Sequence, residues 1–251
     1  TPAGTVRRRL ARSDAGRHRP TRRDGLRCDV DHGWPDGAPS LPGVELADAI
    51  RTNGTCRFYT DAPVSDEVLA RAMDYARFAP QGGNRQPVRF VAVRDRAKKQ
   101  QLAAWYRVPW KAYMEGARAG QIDIGGDWKL VENADHMADH FEDVPVIVVV
   151  CADPEGVHPT DTELGRLSVV GGGSIYPAAQ NFLLGCREQG LGTALTTLLC
   201  MYEPQVKELL GIPEHILTAA HICVGWPARP FPRQLSRRPL SEIAFVDSWG
   251  S

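Results

Sequence analysis

The chain is short of most features that assign a protein quickly. No apolar run reaches the roughly 18 to 20 residues that a membrane-spanning helix requires, so a membrane span is not expected. The arginine-rich start is not followed by the apolar stretch of a secretory leader, so a Sec-type signal is not expected either. No two of the six cysteines (Cys28, Cys56, Cys151, Cys186, Cys200, Cys223) form a C-x-x-C pair, and several lie inside apolar segments. That pattern fits free thiols in a reducing cytoplasm better than a disulfide framework. There is no internal repeat, no phosphate loop, no GxGxxG after a strand, no GxSxG and no HExxH. Net charge is missing too, since 30 Lys and Arg balance 30 Asp and Glu. A neutral balance argues against the whole protein being a nucleic-acid binder.

The balance conceals an asymmetry. Residues 1–30 hold nine arginines against three aspartates, a net of +6, so the remainder carries −6. Residues 1–42 have no apolar periodicity and read as an arm without a core of its own. The folded domain is expected over residues 43–251.

Within it, Val44, Ala47 and Ile50 fit a short helix ending before Asn53-Gly54. Ser65 is placed to cap a second helix whose first turn carries Asp66 and Glu67. Its buried stripe is Val68, Leu69, Ala72, Met73 and Ala76, and Pro80 stops it. Residues 89–93 read as a strand, and residues 95–120 as a polar helix bearing Trp105, Tyr106, Trp110 and Tyr113. The continuous apolar run at residues 146–151 suggests a central strand buried on both faces. Residues 168–189 read as one long helix too apolar to face water, and residues 217–224 as another buried strand. Alternating strands and helices point to a layered α/β or α+β domain.

Isolated candidates for chemistry are weak. His136 and His140 stand four apart on a helix, a spacing that can chelate a metal, but no third ligand is near and an exposed structural pair is the simpler reading. Cys186 has no base close in sequence and reads as a packed thiol. More informative is the segment Ala79-Pro80-Gln81-Gly82-Gly83-Asn84-Arg85-Gln86-Pro87, which follows a helix and precedes a strand. Its glycines allow close backbone approach and its side-chain amides both donate and accept.

This segment stands in a series. Arg51-Thr52-Asn53 and Arg57 precede it. After it come Tyr176-Pro177-Ala178-Ala179-Gln180-Asn181, then Gly190-Leu191-Gly192-Thr193, then Gly225-Trp226-Pro227 and Arg237-Arg238-Pro239-Leu240. In this order the pieces resemble the FMN-dependent nitroreductase family over residues 44–246. Two departures are visible: the early arginine turn is spaced wider by two residues, and Gln81 and Val88 replace the usual serine and tryptophan.

The resemblance implies an α+β fold, a three-layer α/β/α sandwich with a mostly antiparallel central sheet, in a homodimer with an exchanged C-terminal arm. It also implies FMN as cofactor, NADPH or NADH as co-substrate, and a small-molecule electron acceptor such as a nitroaromatic or quinone. The FMN phosphate would fall to Arg51, Thr52, Asn53 and Arg57 early and to Arg237 or Arg238 late. The ring and its edge would fall to Pro80, Gln81, Gly82, Asn84 and Gln86. Gly190, Leu191, Gly192, Leu195 and Thr196 would bring backbone amides toward the reactive part of the ring. No catalytic side chain and no metal are expected, because the flavin performs the chemistry. On the same fold, reductive dehalogenation or flavin modification is an alternative, with residues 105–126 as a substrate lid. A nucleic-acid- or partner-binding protein acting through residues 1–42 is another.

Overall fold

The computed structural model of the chain describes residues 44–124 and 128–250. The expected arm at residues 1–42 and Cys28 lie outside the described residues.

Helix α1 (Leu46–Thr52) stops before Asn53-Gly54 as expected. Helix α2 (Asp66–Arg77) starts at Ser65, whose hydroxyl accepts the Val68 N–H, and Asp66 and Glu67 face the positive helix end. Strand β1 (Val88–Val93) follows. Helix α3 (Arg96–Arg118) is capped by the Asp95 carboxylate on the Lys98 N–H. Helix α4 (Trp128–Asp139) leads to β2 (Val146–Ala152), in which every residue is buried. Then come α5 (Tyr176–Glu188), β3 (Gly192–Thr196), α6 (Glu203–Leu210) and β4 (Leu217–Gly225).

The strands form one sheet in the order β1-β2-β4-β3, with all three ladders antiparallel. Alternation along the strands divides the core in two. Val146, Val148 and Val150 of β2 join Ala220, Ile222 and Val224 of β4 against α2 and α5. Ile147, Val149 and Cys151 turn the other way with Cys223 and Ala194, against α3, α4 and α6. The result is the expected three-layer α+β sandwich. The α2–α5 contact is very close. A Cβ at Gly185 would sit 2.9 Å from the Ala72 Cα and carbonyl oxygen.

The expected helix over residues 168–189 is shorter by its first two turns. Asp161 takes the Ser168 hydroxyl and the Val169 N–H at 2.6 and 3.0 Å, which holds that stretch in a loop. Gly171-Gly172-Gly173 has low helical preference, and Pro177 suits only the first turn, where α5 begins. Cys186 is a buried thiol as expected, its ionisation opposed by desolvation. Among the described residues no helix is long and apolar enough to cross a membrane.

Candidate functional site

After α1 the chain runs extended beside the outer edge of β3. Thr55 bridges to Thr193, the Cys56 N–H donates to the Thr193 carbonyl at 2.8 Å, and Tyr59 bridges to Pro227. The late tail returns to the same place, where the Leu235 N–H donates to the Arg51 carbonyl at 2.9 Å and the Ala228 N–H to the Phe58 carbonyl. These backbone bonds put Arg57 between two cavities.

The first cavity, about 500 Å³, is lined by Asn53, Gly54, Thr55, Arg57, Arg229 and Arg237 together with Phe58, Phe231 and Leu130. Three guanidinium groups there make it a natural seat for a multiply charged anion. The second cavity, about 340 Å³, is bounded by Thr55 and Arg57, by Leu195, Thr196 and Leu198, and by Tyr106, Trp110 and Tyr113 of α3. The three aromatics occupy i, i+4 and i+7 of one helix face. Trp110 is fixed by its Nε1–H, which donates to Asp135 at 2.7 Å. Burial, followed by the nearness of Cys223, pushes the Tyr106 hydroxyl up to about 12, so it stays protonated near neutrality.

The loop at residues 80–86 lies elsewhere. It enters β1 at Val88, which pairs with Ala152 at the end of β2, whereas Gly192 pairs with Gly225 at the opposite end of the sheet. Strands β1 and β3 are opposite edges, three inter-strand steps or about 14 Å apart. The loop is tied instead to the segment before α5, where the Gly82 N–H donates to the Ser174 hydroxyl at 3.1 Å. Its backbone is unusual, since Gly83, Asn84 and Gln86 have φ of 61°, 52° and 51°. Outside glycine that region costs about 1–2 kcal/mol per residue. The Gln81 Oε1 is buried without a hydrogen-bond partner, an arrangement that buried polar groups avoid.

Residues 50–226 match the family model described as "Nitroreductase family". The chain belongs to the nitroreductase family. It is 28% identical over 186 residues to an Archaeoglobus fulgidus protein with the provisional name NADH dehydrogenase/NAD(P)H nitroreductase, covering 73% of this chain and 86% of that one. It is 24% identical over 212 residues to iodotyrosine deiodinase 1 of Rattus norvegicus, covering 84% of this chain and 72% of that protein. Among solved structures, one provisionally named nitroreductase from Desulfovibrio desulfuricans, in complex with FMN, superposes with a TM-score of 0.60 at 24% identity. It covers 82% of this chain and 98% of the other.

Seen as a nitroreductase, the chain gathers only part of the expected residue set. Asn53, Arg57 and Arg237 meet at the first cavity, and Arg57, Leu195 and Thr196 at the second. Pro80, Gln81, Gly82, Asn84 and Gln86 form the separate loop. The other expected contacts are not at either cavity. Arg51 is exposed and contributes its carbonyl to Leu235. The Thr52 hydroxyl donates to the Asp48 carbonyl and accepts from Arg187 Nε at 3.0 Å, so it ties α1 to α5. Leu191 is fully buried against the α2–α5 core. Gly190, at φ 80°, reverses the chain after α5, and Gly192 leaves room for the Cys56 side chain, which a Cβ would meet at 2.6 Å. Arg238 is exposed and lines neither cavity.

Sequence reasoning missed Thr55 and Arg229, and brought Trp110 and Tyr113 near the site only through the alternative of a lid over residues 105–126. Thr55 was within reach, because it stands two residues before Arg57 with only Cys56 between them. His136 is also less exposed than expected, its ring stacked on Phe58 at 4.4 Å.

Proposed function

We propose that the chain is an FMN-dependent oxidoreductase that uses NADPH or NADH to reduce a small acceptor such as a nitroaromatic or quinone. The observation that carries this reading is the pair of cavities joined at Arg57, one rich in guanidinium groups and the other walled by aromatics. FMN has the matching halves, a dianionic phosphate and a flat ring, and the cavity volumes suit a cofactor. Arg57, Arg229 and Arg237 would hold the phosphate end with help from Asn53 and Thr55, while Leu195, Thr196 and the α3 aromatics would line the ring. Bound FMN would supply reversible hydride chemistry, so that the nicotinamide and the acceptor would use the site in turn. The protein's part is orientation and charge. Arg57 favours negative charge building beside it, and the protonated Tyr106 hydroxyl remains a donor. We assign no obligatory acid or base to a side chain.

The separation of the 80–86 loop from these cavities supports a homodimer in which each site takes Arg57 and β3 from one subunit and the loop from its partner. The buried, unpartnered Gln81 Oε1 gives that loop an unmet hydrogen bond. Leu164, Leu167 and Val169 before α5, and Leu240, Ile243 and Val246 in the tail, are exposed apolar residues that such an assembly and an exchanged C-terminal arm would cover.

Purified protein is expected to be yellow and to bleach when NADPH is added without oxygen. Colourless protein that takes up no added FMN refutes the reading. Dehalogenation is a second reading, favoured by the aromatic wall of Tyr106, Trp110 and Tyr113 over the ring end. An acceptor panel containing nitroaromatic, quinone and halogenated phenol separates the two.

A further inference from the structure

One helix walls three cavities that share Arg57. Helix α4 presents Leu130 and Asn133 to the arginine-rich cavity, and Ala134 and Met137 to the aromatic one. Its His136 and Met137, with His140 just beyond, close a third cavity of about 250 Å³ that Arg57, Tyr59 and Asp143 also line. On the α3 side the helix is fastened by ordinary hydrogen bonds. Trp110 donates to Asp135, and Arg107 donates to the carbonyls of Ala138 and Asp139 at 3.0 and 2.9 Å. On the tail side it is fastened by a column of flat groups. The Arg229 guanidinium lies 3.2 Å from the centre of the Phe58 ring. Phe58 stacks on His136 at 4.4 Å with 20° between planes, and His136 packs on His140 at 4.5 Å. His140 Nδ1 is 3.1 Å from an Asp143 carboxylate oxygen.

We propose that His136 is a proton-sensitive clamp: uncharged, it seats α4 against Phe58 and Arg229 over the cavities, and taking up a proton loosens that seat. The groups around it explain why. From the tail comes Arg229, and from the extended segment Arg57 and Tyr59. Helix α4 contributes Asp139, and the turn after it His140 and Asp143. The carboxylates offset little of this positive charge, because Asp143 already pairs with Arg96 at 2.7 Å and Asp139 is exposed. Burial foremost, then His140 and Arg229, hold His136 below the usual imidazole range, with Asp139 opposing.

The sign follows from linkage. The seated helix keeps His136 neutral, whereas the loosened helix returns it to an ordinary value near about 6.5. The clamp is therefore complete above about pH 6.5 and weakens as the pH falls below it, until His136 is protonated in both states. Acidification then loosens the common wall of both halves of the site. The clamp holds whatever ligand the cavities take, so it stands or falls separately from the flavin reading.

Backbone hydrogen exchange in the full chain tests this. Protection of the Trp128–Asp139 amides is followed from about pH 7.5 to about pH 5.5, with intrinsic rates divided out and α2 as the internal reference. In the wild type, α4 protection is expected to fall relative to α2, by at most about tenfold. His136→Phe keeps a flat ring in the column without a titrating group and is expected to show no such fall. Arg229→Gln removes the fixed cation and is expected to shrink the wild-type fall, and it carries the test if His136→Phe does not fold. Constant α4 protection in the wild type overturns the proposal. So does a fall in His136→Phe or Arg229→Gln as large as in the wild type.

Discussion

Arg57 lines all three cavities around α4, the only arginine to do so among the described residues. Replacing it with glutamine tests the proposed site at its centre. Its side chain is half-buried, so a hydrogen bond from it to a phosphate or to the ring edge is only partly screened by water. A hydrogen bond to a charged group is worth about 1.5–3 kcal/mol. Each factor of ten in affinity is about 1.4 kcal/mol, so Arg57→Gln should weaken FMN about 10- to 150-fold. Arg237 reaches the same cavity but is exposed, and an exposed pair is worth about 1 kcal/mol at most. Arg237→Gln should therefore cost about fivefold, diminishing as salt rises. Arg238, which lines neither cavity, should cost nothing measurable. The assay is quenching of FMN fluorescence on titration into apoprotein at two salt concentrations. Unchanged affinity in Arg57→Gln, or a larger loss in Arg238→Gln than in Arg57→Gln, refutes the assignment.

Further outcomes follow from particular contacts. Gln86→Gly relieves a left-handed backbone, so thermal stability should hold or rise by about 1 kcal/mol, while FMN affinity falls; a parallel loss of both would make the loop structural only. Gly185→Ala drives a Cβ into the α2 backbone at Ala72, and should lower stability by about 1–3 kcal/mol in a urea melt without changing the flavin spectrum. His221 is fully buried with neither ring nitrogen hydrogen-bonded, and burial pushes its pKa down to about 4. The fold thus binds fewer protons than the unfolded chain between about pH 6.5 and about pH 4, and stability present above that window is lost on descending through it. By pH 5 the loss is about 2 kcal/mol, and His221→Leu should remove that slope from urea midpoints measured across the range.

Much of the fold could be read from the chain because its strongest signals are local. Ser65 ahead of an acidic pair, the uninterrupted Val146–Ala152 run and the stripe at Leu69, Ala72 and Ala76 each specify one element through short-range chemistry. The helix over residues 168–189 was overextended because composition alone does not show that Asp161 captures Ser168 and Val169 from seven and eight residues away. Strand β3 went unassigned because Gly192–Thr196 is short and lies directly after the glycine turn that ends α5. Its identity as a strand comes from β4 on one side and the Thr55–Cys56 segment on the other.

The site was harder to read than the fold for a topological reason. Sequence order places the 80–86 loop between Arg57 and Leu195, which invites the reading that all three meet. The sheet denies it within one chain: an antiparallel order of β1-β2-β4-β3 puts the strand after the loop and the strand carrying Leu195 at opposite edges. Each edge then keeps an incomplete set. The β3 edge has cations and an aromatic wall with few side-chain amides. The β1 edge has amides, a backbone strained at Asn84 and Gln86, and the unpartnered Gln81 oxygen. Strain and an unmet hydrogen bond persist only where something else compensates them. No compensating contact is seen among the described residues of one chain, and the homodimer proposed above, a second copy bringing its own β3 edge, would supply both halves at once.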